Sequence, residues 1–196
     1  MISGDKLNGL VLAGGKSSRM GGNDKGMAIW HGKPQRYHMA DLLASLCTEV
    51  FISCRPDQVA GIDPNYTALP DTYPDAGPTG GILTALEKAS TAGWLVVACD
   101  LPLLDAATLQ FLVSHRNVHA IATTFESPHD HLPEPLITIW EPASYPVLLA
   151  KLQEGFKCPR KILINNPVSI LAPPNPQSLM NVNTPADAAI AQTIKQ

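Results

Sequence analysis

The residues with the clearest chemical meaning lie in one segment near the start of the sequence, residues 10–25. Its apolar run of branched side chains ends at Gly14 and Gly15, and small residues follow together with Arg19 and Lys25. Glycines allow backbone N–H groups to approach phosphate oxygens closely, and the two cations can neutralise their charge. The pattern therefore predicts a strand that ends in a polyphosphate-binding loop.

Charge is distributed unevenly along the chain. The whole sequence has a formal net charge of -3, whereas residues 16–33 contain four basic residues and one acidic residue, a local charge of +3. A positive segment in an acidic chain favours a small anionic ligand over nucleic acid. Trp30, Trp94 and Trp140 are also not interleaved with basic residues, as the stacking side chains of a nucleic-acid surface would be.

A Walker A P-loop is the main alternative for this segment. Its pattern, G-x-x-x-x-G-K-[ST], matches Gly15-Lys16-Ser17 but requires glycine at position 10, where the sequence has leucine. A P-loop also passes directly into a helix, whereas Gly21-Gly22-Asn23 keeps this segment irregular. The G-x-G-x-x-G dinucleotide fingerprint is absent as well. The segment therefore indicates another class of phosphate-binding loop.

Asp100 is the next candidate, because it follows the continuous apolar run of residues 94–99. Such a run is typical of a strand buried on both faces, and Pro102 prevents it from continuing. Mg²⁺ binds through one or two carboxylates together with substrate phosphates. The alternative is an aspartate that only caps a turn. Because a phosphate-binding loop is predicted at the end of another strand, we favour a Mg²⁺ site at Asp100.

Apolar runs alternate with helical patterns along the first part of the chain. Strands are predicted over residues 7–13, 50–54, 66–69 and 94–99. Helices are predicted to begin near Pro34, before the Ile82-Leu83-Leu86 stripe and after a cap at Asp105. This alternation predicts an α/β fold, a single-domain doubly wound and mostly parallel sheet with helices on both faces. Ligands bind such sheets at the carboxyl ends of the strands.

The length of 196 residues fits a single domain, and its second half has a different composition. Eleven of the 18 prolines lie between residues 128 and 185, which predicts shorter elements and more loops there. A strand over 135–140, a helix over 147–152 and a final helix that begins at Thr184-Pro185 are predicted. We expect a nucleotide-binding part over about residues 6–115 and an acceptor-binding part over about 116–196.

Asn181 and Asn183 flank Val182 on a predicted short strand, so both amides should face the same way. Two amides beside a helix N-terminus suit a substrate phosphate, although Asn183 could also simply begin the final turn. The sequence His129-Asp130-His131 is interpreted as a solvated loop near the acceptor, because no third metal ligand is spaced to complete a site. His31 is interpreted as a turn residue and His38 as a histidine without a convergent partner.

The location of the protein is inferred from what the sequence lacks. Residues 1–6 contain no apolar stretch of a signal peptide, and no apolar run approaches the ~20 residues that span a bilayer. Cys47, Cys54 and Cys99 lie in apolar runs, and the four cysteines show no C-x-x-C spacing. We therefore expect reduced thiols in a cytoplasmic protein without membrane contact.

A set of short motifs resembles the molybdenum cofactor guanylyltransferases, a family of small nucleotidyltransferases. The first motif is L-A-G-G-x-S-x-R-M-G-x-x-x-K, over residues 12–25. The others follow in the order and near the spacing of that family: Pro70-Asp71, Gly77-Pro78-Thr79-Gly80-Gly81, Ala98-Cys99-Asp100-Leu101-Pro102, Pro135-Leu136 and Asn181-Val182-Asn183-Thr184-Pro185. The resemblance thus covers nearly the whole chain.

The resemblance implies an activity. GMP would pass from GTP to the terminal phosphate of molybdopterin (the molybdenum cofactor), with release of pyrophosphate and with Mg²⁺ on Asp100. Arg19 and Lys25 would stabilise the leaving pyrophosphate, and the amides of residues 13–15 would cradle its phosphates. Other cofactor-biosynthesis or molybdoenzyme-maturation proteins are the partners that the resemblance allows.

The resemblance also assigns further site residues. Residues 77–81 would lie at the guanine end beside Asp71, although Asp71 could also be only a turn residue, and Arg160 would lie on the pterin side or be a solvated cation. Ser53 departs from the asparagine of the family, since a hydroxyl replaces an amide donor and acceptor. The implied nucleotide site comprises Leu12, Ala13, Gly14, Gly15, Lys25, Ser53, Asp71, Gly77, Gly81 and Asp100.

Two other functions stay open at this point. A related enzyme of the same fold could use CTP or another phosphorylated acceptor, although Ala-Gly-Gly in the first motif resembles the guanine-using members. A non-catalytic nucleotide-binding protein is the other alternative. Retention of Arg19, Lys25 and Asp100 together argues against it, because binding alone does not need all three charges.

Overall fold

The computed structural model describes residues 6–15 and 25–195, with Lys25 described by its backbone alone. Within these ranges the strands form one seven-stranded sheet in the order β3-β2-β1-β4-β6-β5-β7. Its strands are β1 (Leu7–Leu12), β2 (Val50–Cys54), β3 (Thr67–Pro70), β4 (Gly93–Ala98), β5 (Ala122–Glu126), β6 (Pro133–Trp140) and β7 (Ser169–Leu171).

Helices cover both faces of this sheet, as the alternating pattern predicts. The described helices are α1 (Gln35–Ala44), α2 (Pro78–Lys88), α3 (Ala106–Ser114), α4 (Ser144–Gln153), α5 (Pro159–Ile164) and α6 (Pro185–Lys195). Short 3₁₀ helices span Lys25–Met27, Pro56–Gly61 and Pro176–Leu179. None of the helices in the described ranges is long and apolar enough to cross a membrane.

Two separate apolar clusters lie on the two faces of the sheet. In β1, the side chain of Val11 packs with α1 and α3 on one face. The neighbouring Leu10 packs with α2, α4 and α5 on the other face. This is the alternation expected of a strand, and all six residues of β4 are buried in the centre of the sheet. The doubly wound α/β fold predicted from the sequence is therefore confirmed.

The direction of the strands determines what lies at the functional edge. Strands β3, β2, β1 and β4 pair in parallel, so their carboxyl ends meet at one edge, here called the carboxyl edge. Strand β6 is antiparallel to β4, with Ile137 opposite Val97. The beginning of β6 therefore lies at the carboxyl edge, next to the end of β4.

Several elements in the second half of the chain were predicted wrongly or were not predicted from the sequence. Residues 181–183 form no strand, so that prediction is wrong. The segment is instead held by a hydrogen bond from the Val182 N–H to the carbonyl oxygen of Asp100, at 2.8 Å. Strands β5 and β7 and helix α5 were not predicted, because Thr123 and Thr124 interrupt the apolar run of β5 and the other two elements are very short.

Candidate active site

A cleft of about 730 Å³ opens at the carboxyl edge, a volume in the range of small-molecule binding sites. The ends of strands β1 to β4 and the loop before α2 surround it. Its lining residues include Leu12, Ala13, Gly14, Gly15, Ser53, Arg55, Asp71, Gly77, Asp100 and Leu136. The cleft thus brings together most of the described residues predicted for the nucleotide site.

Asp71 and Ser53 form the floor of this cleft at the ends of β3 and β2. The buried Ser53 hydroxyl donates a hydrogen bond to Asp71 Oδ1 at 2.7 Å. Burial raises the pKa of the Asp71 carboxyl, and the hydrogen bond from Ser53 opposes that shift. Ser53 therefore stabilises the ionised form of Asp71.

Gly81 has a packing role beneath that floor. A Cβ atom at Gly81 would lie 2.6 Å from Ser53 Oγ and 2.7 Å from Leu12 Cδ2, so any larger residue would displace the Ser53 hydroxyl or the Leu12 side chain. Gly81 is buried and is not among the residues that line the cleft. Gly77 does line it, and its φ of 61° is the left-handed conformation that glycine adopts most readily.

The glycine segment after β1 lies between the floor and Asp100. A Cβ atom at Gly14 would be 3.3 Å from Asp71 Oδ2, so this glycine allows the backbone and the carboxylate to lie close together. The N–H of Ala13 donates to the carbonyl oxygen of Ser53 at 3.0 Å. The expectation that the Ala13 amide cradles phosphate is therefore wrong, because that amide continues the pairing of β1 with β2.

Asp100 lies half-buried in the turn that follows β4, here called the Asp100 turn (residues 99–102), and lines the cleft. Val182 binds its carbonyl group, which brings Asn181 and Asn183 to the same turn. No group of three or more His, Cys, Asp or Glu side chains is arranged to hold a metal within residues 6–15 and 26–195. One carboxylate completed by substrate phosphates is nonetheless a common arrangement for Mg²⁺, so the residues present fit this ion.

Arg160, predicted for the acceptor side, is engaged by two carboxylates. Its Nη1 lies 2.7 Å from Asp130 Oδ2, and its Nη2 lies 3.0 Å from Glu134 Oε2. Burial raises the pKa of Glu134, and the Arg160 charge opposes this shift. Arg160 is not among the residues that line the cleft. An anionic acceptor at Arg160 would therefore compete with carboxylates already bound there.

Arg19 and Lys25, the two cations predicted to contact phosphate, are not described as side chains. Arg19 lies outside the described residues. Lys25 begins the 3₁₀ helix Lys25–Met27, and its side chain also lies outside the described part. Their roles stay predictions.

Arg55 is a cleft residue that the sequence analysis missed. Its Nη1 donates to the carbonyl oxygen of Gly14 at 3.0 Å, and its Nε pairs with Asp57 Oδ1 at 3.1 Å. It thereby ties the end of β2 to the glycine segment of β1. A signal was present, since Arg55 follows Ser53 by two residues at the end of a predicted strand.

Residues 9–168 match the family described as MobA-like NTP transferase domain. A molybdenum cofactor guanylyltransferase from Pseudomonas fluorescens is 32% identical over 182 residues, which cover 90% of this chain and 88% of that protein. A molybdenum cofactor biosynthesis bifunctional protein from Synechocystis sp. is 35% identical over 187 residues, which cover 95% of this chain. The chain spans only about half of that relative, 54% of its length.

Solved structures show the same fold. Molybdopterin-guanine dinucleotide biosynthesis protein A from Archaeoglobus fulgidus superposes with a TM-score of 0.78 at 20% identity, over 96% of this chain and 98% of that one. A nucleotidyl transferase from Methanothermobacter superposes with a TM-score of 0.75 at 15% identity, over 97% of both chains. The described sheet and its helices thus form a nucleotidyltransferase fold.

Proposed function

The chain belongs to the MobA-like NTP transferase family, and from this premise we propose that it transfers GMP from GTP to the terminal phosphate of molybdopterin. The family match makes the chain a nucleotidyltransferase. The guanylyltransferases among its relatives support the choice of substrates. The observation that carries the proposal is one cleft lined by Asp71, by the glycine segment after β1 and by Asp100.

The order of the strands suggests how GTP would lie. Along the carboxyl edge, the ends of β3, β2, β1 and β4 follow one another, so the Gly14-Gly15 backbone lies between Asp71 and Asp100. We assign the guanine to Asp71 and the Gly77 loop, and the phosphates to the glycine segment and Asp100. In the same proposal, Asn181, Asn183 and Arg160 contact the acceptor.

The reaction needs no covalent intermediate on the enzyme. A phosphate oxygen of the acceptor attacks the α-phosphorus of GTP in line, a new O–P bond forms, and the bond to the β-phosphate oxygen breaks to release pyrophosphate. The protein then contributes positioning and charge stabilisation. Arg19 and Lys25 are proposed to stabilise the charge on pyrophosphate, and Mg²⁺ bound at Asp100 would neutralise phosphate charge.

The preference of the protein for GTP over other nucleoside triphosphates tests this proposal. We expect kcat/KM for GTP to exceed that for ATP and CTP by about one to two orders of magnitude. Guanine presents N1–H and an amino group on one edge, and the half-buried Asp71 carboxylate would lose these donors with another base, at ~1–3 kcal/mol per unpaired group. The measurement is a competition assay with molybdopterin, Mg²⁺ and each triphosphate.

Two outcomes, one of that assay and one of a binding measurement, would contradict the proposal. Equal use of CTP and GTP would identify an enzyme of the same fold that does not select guanine. Failure to bind any triphosphate, measured by thermal shift with and without Mg²⁺, would identify a non-catalytic protein.

The Ser53–Asp71 hydrogen bond leads to a prediction about pH. If ionised Asp71 accepts hydrogen bonds from guanine, kcat/KM for GTP falls as the pH drops through its pKa. Ser53→Ala removes the contact that lowers this pKa, so we expect the acidic limb of the profile to move to higher pH. The measurement is kcat/KM for GTP against pH for both proteins.

Ser45→Ala is the matched control for this experiment. Its hydroxyl donates to the Leu42 carbonyl oxygen on an exposed surface at the end of α1, outside the cleft lining. The control profile should overlay that of the unmodified protein. An unshifted acidic limb in Ser53→Ala would show that Asp71 does not set the pH dependence.

A further inference from the structure

Three consecutive carbonyl groups of the Asp100 turn each accept a hydrogen bond from a different part of the chain. The donors are a backbone amide of the segment before α6, the first side chain of α1 and a side chain of the loop before α1. The contacts are Val182 N to Asp100 O at 2.8 Å, Gln35 Nε2 to Leu101 O at 3.3 Å and His31 Nε2 to Pro102 O at 2.9 Å. Because a carbonyl oxygen only accepts, His31 must carry its proton on Nε2.

Gln35 is suited to hold this turn because it is rigidly placed. Its side chain is fully buried at the beginning of α1, where a solvated glutamine would be the usual case. Its backbone N–H also donates to the Ala28 carbonyl oxygen at 2.9 Å, and Ile29 pairs with Pro34 in an isolated bridge. The segment that presents Gln35 and His31 is therefore a closed turn.

His31 is held in place by a second histidine. The rings of His31 and His38 stack with their centroids 3.7 Å apart and their planes 10° apart. Burial, together with the nearby His31, lowers the pKa of His38 to about 4. His38 is therefore neutral near pH 7, so the stack carries no charge repulsion. The expectation that His38 has no partner is wrong.

We propose that Gln35 and His31 are positioning residues that hold the Asp100 turn, and through it fix the carboxylate for a divalent cation. The inference rests on the proposed function, since it takes Asp100 as the cation ligand. Both residues lie within the ten positions that follow Lys25, the last residue of the predicted phosphate-binding segment. The segment that follows the triphosphate site is thereby linked to the cation site.

The position of the Asp100 turn matters because Mg²⁺ requires a specific geometry of its ligands. This ion takes near-ideal octahedral coordination, and one protein carboxylate leaves the substrate phosphates to supply other ligands. A turn that moves by a fraction of an ångström would therefore weaken binding of the ion without unfolding the protein. Outer residues that orient a metal ligand typically contribute about 10–100-fold to metal affinity or activity.

The test is the dependence of turnover on the concentration of Mg²⁺. We expect His31→Ala and Gln35→Leu each to raise the Mg²⁺ concentration for half-maximal turnover about tenfold, with KM for GTP at saturating Mg²⁺ nearly unchanged. His31→Gln retains an N–H donor and should recover part of the loss. Mn²⁺ binding in the presence of GTP, measured by electron paramagnetic resonance, should weaken in parallel.

His115→Ala is the matched control, because His115 Nδ1 lies 2.8 Å from the Phe111 carbonyl oxygen at the far end of α3. Its neighbour Arg116 lies against Gly93 at the beginning of β4, the opposite edge of the sheet from the cleft. This variant should leave the Mg²⁺ dependence unchanged. If His31→Ala and Gln35→Leu behave like His115→Ala, the positioning role is refuted.

The same experiment separates this inference from the proposed function. A protein without turnover of GTP would refute the guanylyltransferase proposal alone, because Mn²⁺ binding still reports on the Asp100 turn. Unaltered Mn²⁺ binding in both variants would overturn the positioning role whether or not the protein has activity.

Discussion

Replacement of Asp100 by asparagine is expected to lower kcat about 10³-fold while the fold is retained. Asparagine has nearly the same shape but no negative charge, so the cation proposed at Asp100 would lose its charged protein ligand. Metal ions supply several kcal/mol of transition-state charge stabilisation, and ~4 kcal/mol corresponds to that factor. Steady-state turnover of GTP at saturating Mg²⁺, with circular dichroism to verify folding, measures the effect.

Asp63→Asn is the matched control for this prediction. Asp63 caps a turn by accepting from the Asn65 N–H at 2.9 Å, and it precedes β3 at the edge opposite the cleft. Replacement of an aspartate that only caps a turn should lower the activity of the protein little. If Asp100→Asn at saturating Mg²⁺ were as active as Asp63→Asn, Asp100 would be a turn residue and the cation assignment would be wrong.

Replacement of Glu141 by alanine is expected to lower the free energy of unfolding by about 3–5 kcal/mol, because it leaves a buried charge unpaired. Glu141 binds Arg116 through two contacts, Nε to Oε1 at 2.7 Å and Nη2 to Oε2 at 2.8 Å. The side chains are only 2% and 10% exposed. Urea unfolding followed by circular dichroism measures the loss.

Two further variants distinguish a buried pair from an ordinary surface pair. Glu49→Ala breaks the ion pair between Glu49 and Lys6, two side chains that are about half exposed, and should cost far less stability than Glu141→Ala. Combining Arg116→Met with Glu141→Leu should recover most of the stability, since neither charge is then buried. A loss in Glu141→Ala no larger than that in Glu49→Ala would contradict the prediction.

Much of the fold could be predicted because its determinants are local in the sequence. Strand β2 occupies the residues predicted for it, since five consecutive apolar or small residues precede Arg55 and Pro56. Asp105 caps α3 as expected, by accepting a hydrogen bond from the Thr108 N–H at 2.7 Å. Residues 181–183 were assigned wrongly, because a short alternating pattern does not reveal whether a partner strand is available.

Several contacts of the candidate site could not be predicted, because they join residues far apart in the sequence. The sequence identifies Ser53 and Asp71 as separate candidates but does not show that one donates to the other. Likewise, no local pattern indicates that Arg160 pairs with the buried Glu134. Such pairs depend on the order of the strands and on helix packing, which a single sequence does not specify.

The contact between Val182 and the Asp100 turn has a consequence for protein synthesis. Ribosomes add residues from the amino terminus, so strands β1 to β4 and Asp100 itself emerge long before the amide that holds the Asp100 carbonyl group. A nascent chain can therefore assemble the Asp71 end of the cleft while the turn still lacks one anchor. Completion of the site is thus a late event of translation, and a chain interrupted before residue 182 would remain incomplete at that turn.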